Sequence, residues 1–468
     1  MSKDPARVEG AEHELEEFGY AQELKRSMSL TDVVVYGLIY MVPLATLPVF
    51  GIIYNFSGGM PALVYLVAAI AMFFSALSYK EMAKKFPIAG SVYSYVRIGL
   101  NRFVGFLAGW AILLDYLLLP ALLSVFAAAA MVAVVPAIPA WVWIVVFVVL
   151  AAAINLRGIG LTAGMNRVFL AIQLIVLLIF VVGALIAVAQ GKAAFTLDPI
   201  FQSAQFSWAI VFGAIPIAAL SFIGFDAIST LNEEAKGGGA AVSKATMIVL
   251  FAITIIFVVQ VYLAAIFVPT GTIFAAGDAT NNAFYNIAGD VVGPWFKVVI
   301  TLTSALVAIF ANSIASQATS SRLVFSMARD GQLPRVFSRV SAKRQIPRNA
   351  MFLIAGLSLV IGIVGTSEQE LLTTLVTFGA LTAYILLHVA VSAHFGVKLR
   401  SRRLFVHWIS PVLGILVLGY ALRSANANAK VLGVAWLLIG VGIALYFRFS
   451  KKGAMQAESE RHDHERAV

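Results

Sequence analysis

Residues 215–226 read IPIAALSFIGFD, an apolar run with a proline near its start and an aspartate at its end. The run belongs to an apolar stretch that begins near Trp208 and is long enough to cross a bilayer, which takes about 20 residues as a helix. A proline removes one backbone hydrogen bond of a helix and clashes with the preceding turn. The stretch therefore predicts a membrane span that is interrupted at mid-depth, where protein or a wet cavity must satisfy the freed backbone groups.

A second interrupted span lies near the start of the chain. Residues 33–48 read VVVYGLIYMVPLATLP and contain two prolines at mid-depth. The two breaks are five predicted spans apart, in corresponding places of a possible five-plus-five repeat. Discontinuous helices in matching halves are typical of the substrate site of a transporter. For either break taken alone, an ordinary proline kink is the alternative.

The composition of the whole chain is that of a polytopic membrane protein. Of its 468 residues, 61% are hydrophobic and 12% are charged, and the mean hydropathy is +0.92. An average soluble domain has about 45–50% apolar and 25% charged residues, so a water-soluble globule and a disordered chain are both excluded. The chain has no cysteine, which excludes cysteine-ligated metal sites and thiol catalysis.

The apolar runs predict an all-α membrane protein with twelve transmembrane helices. Runs of about 20 residues begin near these positions: Leu30, Pro61, Phe103, Trp141, Met165, Trp208, Met247, Trp295, Met351, Leu371, Val406 and Val431. Twelve spans leave no room for a sizeable soluble domain. The polar tail at 1–29 does not have the early apolar core of a signal peptide, so we expect none.

The distribution of basic residues predicts the orientation in the membrane. With twelve spans, 29 of the 33 Lys and Arg residues lie on the side of the two termini, and only Lys192, Lys297, Arg423 and Lys430 lie opposite. Because loops rich in Lys and Arg stay in the cytoplasm, we expect both termini to be cytoplasmic in a bacterial inner membrane. The net charge of +10 then faces anionic membrane lipid, and nucleic-acid binding is not expected.

Two aspartates lie within the apolar runs. They are Asp115 in the third span and Asp226 at the break of the sixth, and the other acidic residues lie in tails, loops or span ends. A carboxylate at bilayer depth costs at least ~2.5–3.5 kcal/mol, and protonation lowers that cost. We therefore expect either aspartate to carry a proton or to receive a cationic substrate. A structural carboxylate that caps the broken helix is the alternative.

Four motifs, in order along the chain, resemble those of the amino acid–polyamine–organocation (APC) transporters. They are FPIAGSVYSY at 86–95, LDY at 114–116, SFIGFD at 221–226 and MARDGQLP at 327–334. Within that superfamily the chain most resembles bacterial putrescine importers. The resemblance implies a LeuT-type fold, with two inverted five-helix repeats and two extra helices. The implied division is a tail at 1–29, repeats at 30–200 and 201–400, two helices at 401–450 and a tail at 451–468.

The resemblance also implies where the solute lies, between helices 1, 3, 6, 8 and 10. The residues expected at the two breaks are Tyr40, Met41, Pro43, Ala45, Ser221, Phe222, Gly224 and Phe225. Tyr116 and Phe222 would line or gate the pocket, with plain helix packing as the alternative. Asp226 matches a position implicated in proton sensing. Thr319 and Ser320 match the region where sodium-coupled relatives hold a cation, although hydroxyls commonly bond to the previous turn instead.

The function expected from these residues is secondary active transport. We expect import of a small amine-bearing solute (a polyamine, an amine or an amino acid) by alternating access, with proton coupling through Asp115 or Asp226, no cofactor and no metal site. Pro43-Leu44-Ala45 lacks the glycines that amino acid members have at the first break, so the substrate class stays open. An exchanger and a sodium-coupled amino acid symporter are the alternatives within the class. An integral membrane enzyme or a channel is the alternative outside it.

Overall fold

The computed structural model describes residues 24–135, 137–157, 159–275, 278–341, 344–366, 369–424 and 427–449. The tail at 451–468 and most of the tail at 1–29 lie outside these residues. Regular structure in the described segments is helical, and an isolated β-bridge joins Met28 to Ala235. The all-α class predicted from the sequence is confirmed.

The helices are numbered in chain order. Those of the first half are α1 (Leu30–Met41), α2 (Phe50–Phe56), α3 (Pro61–Lys85), α4 (Ser91–Gly99), α5 (Arg102–Val134), α6 (Ala140–Leu156), α7 (Ile159–Ala189), α8 (Trp208–Phe222) and a 3-10 helix (Phe225–Leu231).

The second half continues with further α-helices and with short π-helical and 3-10 segments. The elements are α9 (Gly238–Ala265), α10 (Asp278–Asn281), α11 (Ala283–Val292), α12 (Pro294–Leu302), a π-helix (Thr303–Ala308), α13 (Ile309–Arg329), a 3-10 helix (Arg335–Ser338), α14 (Arg348–Val364), α15 (Gln369–Val391), two π-helices (Ser392–Lys398 and Phe405–Ile409), α16 (Ser410–Ser424) and α17 (Ala427–Phe449).

Several of these helices are long and apolar enough to cross a membrane. Within the described residues six qualify, or seven if the bent pair 208–215 and 217–231 forms one span. Four shorter apolar helices lie within α1, α6, α14 and α17. The protein is therefore a multi-pass membrane protein, while the count of twelve spans stays a prediction.

Both interrupted helices are present. Helix α1 ends at Met41, Val42 has a φ of 54°, and turns follow until α2 begins. Helix α8 bends by 41° at Pro216 and ends at Phe222, and Gly224, with a φ of 127°, separates it from the 3-10 helix. The proline therefore bends the sixth span, and the helix ends further along, next to the glycine, whose missing Cβ permits that φ.

The two interrupted helices pack directly against each other. A Cβ atom on Gly37 of α1 would lie 2.5 Å from Cδ1 of Ile228 in the 3-10 helix. A Cβ atom on Gly224 would lie 3.1 Å from Cε1 of Tyr40 and closer still to Cδ1. Because both glycines allow this close approach, the breaks of the two helices meet in the interior of the protein.

Helix α5 lies at the centre of the bundle and is held on two sides. Gly379 brings the backbone of α15 close to α5, since its Cβ would lie 2.6 Å from the carbonyl oxygen of Ala111. Helix α17 is fixed to α5 by Trp110 and Trp436, whose rings stack at 4.4 Å. Each of these indole N–H groups donates to the other residue's carbonyl oxygen, at 2.8 and 2.7 Å. These contacts position the middle of α5 beside the breaks.

Candidate functional site

Asp226 lies at the centre of the candidate site, two residues past Gly224 at the break in the sixth span, and its side chain is fully buried. The hydroxyl of Tyr116 on α5 donates to its Oδ2 at 2.5 Å, and the hydroxyl of Tyr384 on α15 donates to its Oδ1 at 2.6 Å. Three parts of the chain thus converge on one carboxylate. Hydrogen bonds from two donors are the usual way to stabilise a buried charged group.

Asp115 is the second buried carboxylate of the site, and its environment is different. Its side chain is fully buried, yet neither oxygen has a hydrogen-bond partner among the described residues. It is close enough to Asp226 for the two groups to interact electrostatically, and Tyr40 interacts with both. The hydroxyl of Tyr40 is likewise buried without a hydrogen-bond partner. The structure therefore places both aspartates and the first break in one neighbourhood.

The aromatic ring of Phe225 lies beside the carboxylate cluster. It packs against Tyr79 of α3 at 5.6 Å and against Tyr384 at 5.5 Å between ring centroids. The ring of Tyr384 therefore supports Phe225 while its hydroxyl holds Asp226. Tyr384 is absent from the residues expected from sequence. The available signal was a single tyrosine in the apolar helix α15.

Ser221 and Phe222 face another part of the interior. The ring of Phe222 packs against Tyr65 of α3 and Phe257 of α9, at 6.1 and 5.2 Å between centroids. The hydroxyl of Ser221 lies 3.1 Å from that of Tyr65. These contacts correspond to helix packing, the alternative left open for Phe222. Among the described residues, the rings that pack against Phe222 are those of Tyr65 and Phe257 and not those of the tyrosines that hold Asp226.

The backbone of the first break is satisfied by a side chain from another helix. The carbonyl oxygen of Pro43 accepts a hydrogen bond of 2.9 Å from the Nε2 amide of Gln260 in α9. The amide of Ala45 donates to Val42 at 2.8 Å, and the buried hydroxyl of Thr46 has no partner among the described residues. Sequence reasoning missed Gln260, although a glutamine in an otherwise apolar helix is a visible signal.

Thr319 and Ser320 do not converge on a common point. The Thr319 hydroxyl lies 2.7 Å from the hydroxyl of Tyr36 on α1, which in turn accepts from Nη1 of Arg322 at 3.3 Å. The Ser320 hydroxyl donates to the carbonyl oxygen of Ser316 at 2.7 Å and to that of Tyr116. Tyr36 therefore lies between Thr319 and the guanidinium group of Arg322, whose charge is paired with Glu234. The hydroxyls considered for a cation are thus already bonded to protein groups.

Two buried ion pairs fasten the segment that follows the sixth span to α13. Arg322 Nε lies 2.7 Å from Glu234 Oε2, and Arg329 donates to Glu233 at 2.7 and 3.1 Å. Glu233 also accepts from the backbone amide of Ala89 at 2.9 Å. Burial raises the pKa of Glu234, while the charge of Arg322 opposes that shift. The sequence signal for this arrangement was the pair Glu233-Glu234, which follows the 3-10 helix after the break.

A multi-pass helical protein whose interior holds a polar site between two broken helices has the architecture of a solute transporter. The comparison with known families identifies the class more closely. The family model described as "Amino acid permease" matches residues 27–450. The chain therefore belongs to this amino acid permease family of the APC superfamily, as the sequence motifs predicted.

Individual relatives are similar along nearly their full length. The chain is 30% identical over 427 residues to the low-affinity putrescine importer PlaP of Escherichia coli, covering 90% of this chain and 93% of that protein. It is 25% identical over 459 residues to the branched-chain amino acid permease BcaP of Bacillus subtilis, covering 92% and 94%. It is 26% identical over 474 residues to the methylthioribose transporter of Bacillus subtilis, covering 93% and 95%. These proteins are transporters and not enzymes.

Proposed function

We propose that this protein is a secondary active transporter that imports a small amine-bearing solute across a bacterial inner membrane by alternating access. The observation that carries the proposal is the buried carboxylate of Asp226, which Tyr116 and Tyr384 hold where the two broken helices meet. A carboxylate in an apolar interior attracts an ammonium group, and aromatic faces add ~1–2 kcal/mol when desolvated. The similarity to the putrescine importer PlaP supports the same class of solute.

The architecture assumed in this proposal is the LeuT-type arrangement. It comprises twelve spans, two inverted five-helix repeats and two cytoplasmic termini. The paired breaks at Met41 and Gly224 and the basic residues of the predicted cytoplasmic side support it. Alternating access would then expose the site between the breaks to one side of the membrane at a time.

We propose that transport is coupled to protons. Two carboxylates lie in the interior, and a carboxylate that changes its protonation state can carry a proton between the two sides. Sodium coupling has less support, because the Thr319 hydroxyl is bonded to Tyr36 and that tyrosine is bonded to Arg322. Exchange of related amines without net ion movement is the remaining mechanism within the class.

Uptake by purified protein in liposomes tests these mechanisms. The labelled solutes are 1,4-diaminobutane, a monoamine and an amino acid. Each is offered under an inward proton gradient, under an inward sodium gradient, or without a gradient but with unlabelled solute inside the liposomes. The proposal expects accumulation under the proton gradient and its loss in Asp226→Asn. Accumulation under sodium alone would overturn the proton mechanism. Uptake that occurs only when unlabelled solute is present inside the liposomes would identify an exchanger. No uptake of any amine would overturn the proposed substrate class.

A further inference from the structure

We propose that Asp115 is a specificity-determining residue that binds the second ammonium group of a diamine. This inference rests on the proposed function, because it assigns the substrate class at the same site. It arises from a difference between the two buried carboxylates. Asp226 has a tyrosine donor on each oxygen, whereas both oxygens of Asp115 are buried and without a hydrogen-bond partner among the described residues.

Among the described residues, no cation balances the charge of Asp115. The charged group that acts on Asp115 there is Asp226, which has the same sign, and the tyrosines within range of its charge are Tyr40, Tyr79 and Tyr384. Arg322 follows Thr319 and Ser320 in α13, but its guanidinium group is paired with Glu234 and so does not balance the charge of Asp115. A buried charge that lacks both a counter-ion and hydrogen bonds is strongly unfavourable. A cation that enters with the substrate would supply the missing partner.

The free acceptors at Asp115 match the donors of an ammonium group. An alkylammonium group has three N–H donors and no acceptor. The two oxygens of Asp115 and the hydroxyl oxygen of Tyr40 are buried acceptors that have no hydrogen-bond partner within the described segments. Binding there would break no hydrogen bond of the structure, whereas a group that binds to Asp226 competes with two tyrosine hydroxyls.

Two carboxylates in one neighbourhood favour a dication over a monocation. A diamine can place one ammonium group at each aspartate, and its hydrocarbon chain suits the apolar surroundings. A monoamine of the same length reaches one carboxylate and leaves the other unbalanced. The first break also suits a carboxylate less well, since Pro43-Leu44-Ala45 has no glycine to leave its backbone bare and the Ala45 amide already donates to Val42.

Binding of matched ligands separates the role of Asp115 from that of Asp226. Affinities of 1,4-diaminobutane and of 1-aminobutane are measured on the full chain in detergent, for wild type, Asp115→Asn and Asp226→Asn. We expect Asp115→Asn to weaken diamine binding at least about tenfold, a loss of roughly 1.4 kcal/mol, and to change monoamine binding less than about twofold. If Asp115→Asn leaves the ratio of the diamine affinity to the monoamine affinity unchanged, including by weakening both equally, the inference is overturned.

A conservative variant keeps the test decisive if Asp115→Asn does not fold. Asp115→Glu retains the charge and moves it further from the α5 backbone by one methylene. We expect this variant to keep its preference for diamines and to shift its best ligand from 1,4-diaminobutane towards 1,3-diaminopropane. An unshifted length preference contradicts the inference. Wild-type protein that binds neither amine would instead overturn the proposed function itself.

Discussion

Replacing Gly224 by alanine tests whether the meeting of the two breaks determines the fold of the site. Gly224 has a φ of 127°, a conformation that residues with a Cβ rarely adopt. A Cβ there would lie 3.1 Å from Cε1 of Tyr40, 3.3 Å from the Tyr40 carbonyl oxygen and closer still to Cδ1. Either Tyr40 or the sixth-span break must therefore move.

The expected loss of stability is the sum of two effects. A strained backbone conformation costs about 1–3 kcal/mol, and overpacking of a buried contact costs about 1–3 kcal/mol more. We therefore expect Gly224→Ala to lower the free energy of unfolding by about 2–5 kcal/mol. The matched control is Gly213→Ala in α8, where a Cβ meets nothing within 4 Å. A helical glycine replaced by alanine gains about 0.5–1 kcal/mol.

Denaturant unfolding followed by tryptophan fluorescence measures both variants, and solute uptake into liposomes is measured in parallel. We expect Gly224→Ala to lose stability and most of its uptake, while Gly213→Ala keeps both. Wild-type stability and uptake in Gly224→Ala would refute the reasoning. The contact between Gly224 and Tyr40 would then be dispensable.

Three further substitutions have expected outcomes that follow from single contacts. Tyr384→Phe removes one of the two donors to Asp226; since a hydrogen bond to a charged group contributes about 1.5–3 kcal/mol, we expect initial uptake rates to fall about tenfold or more. A wild-type rate would contradict that role. Arg329→Gln removes the cation that balances buried Glu233, and we expect unfolding measurements to show a loss of about 3–5 kcal/mol. A loss below about 1 kcal/mol would argue against a buried pair. Gln260→Leu leaves the carbonyl oxygen of Pro43 without its donor and should lower the free energy of unfolding by about 1–3 kcal/mol in the same assay. Wild-type stability would show that this carbonyl does not need the Gln260 amide.

The features that depend on local sequence were predictable. The first break follows from the prolines after Met41, and the positions of Asp115 and Asp226 in apolar runs follow from composition alone. The position of the sixth-span break was less certain from the sequence, because a helix can continue past a proline when other groups satisfy the backbone. The family resemblance placed the break between Ser221 and Phe225, where α8 ends at Phe222 and Gly224 has a φ of 127°, while Pro216 adds a bend of 41°.

The partners of the site residues were not predictable, because they come from distant parts of the chain. Tyr384 is 158 residues from Asp226, and Gln260 is 217 residues from Pro43. Single buried polar residues in apolar helices indicate that a partner exists but do not identify it. The orientation of Phe222 was equally open, since it lies at the last residue of α8, where the helical period ends.

The amino-terminal segment extends the contact between the two broken helices beyond the membrane interior. The backbone amides of Ser27 and Met28 donate to the carbonyl oxygen of Glu234 at 3.0 Å, and Lys236 donates back to Met28 at 2.9 Å. The same two stretches of chain meet again at Gly37 and at Gly224. The first and sixth spans are therefore joined at three places along their length, so a displacement of one requires either that the other move with it or that these contacts break.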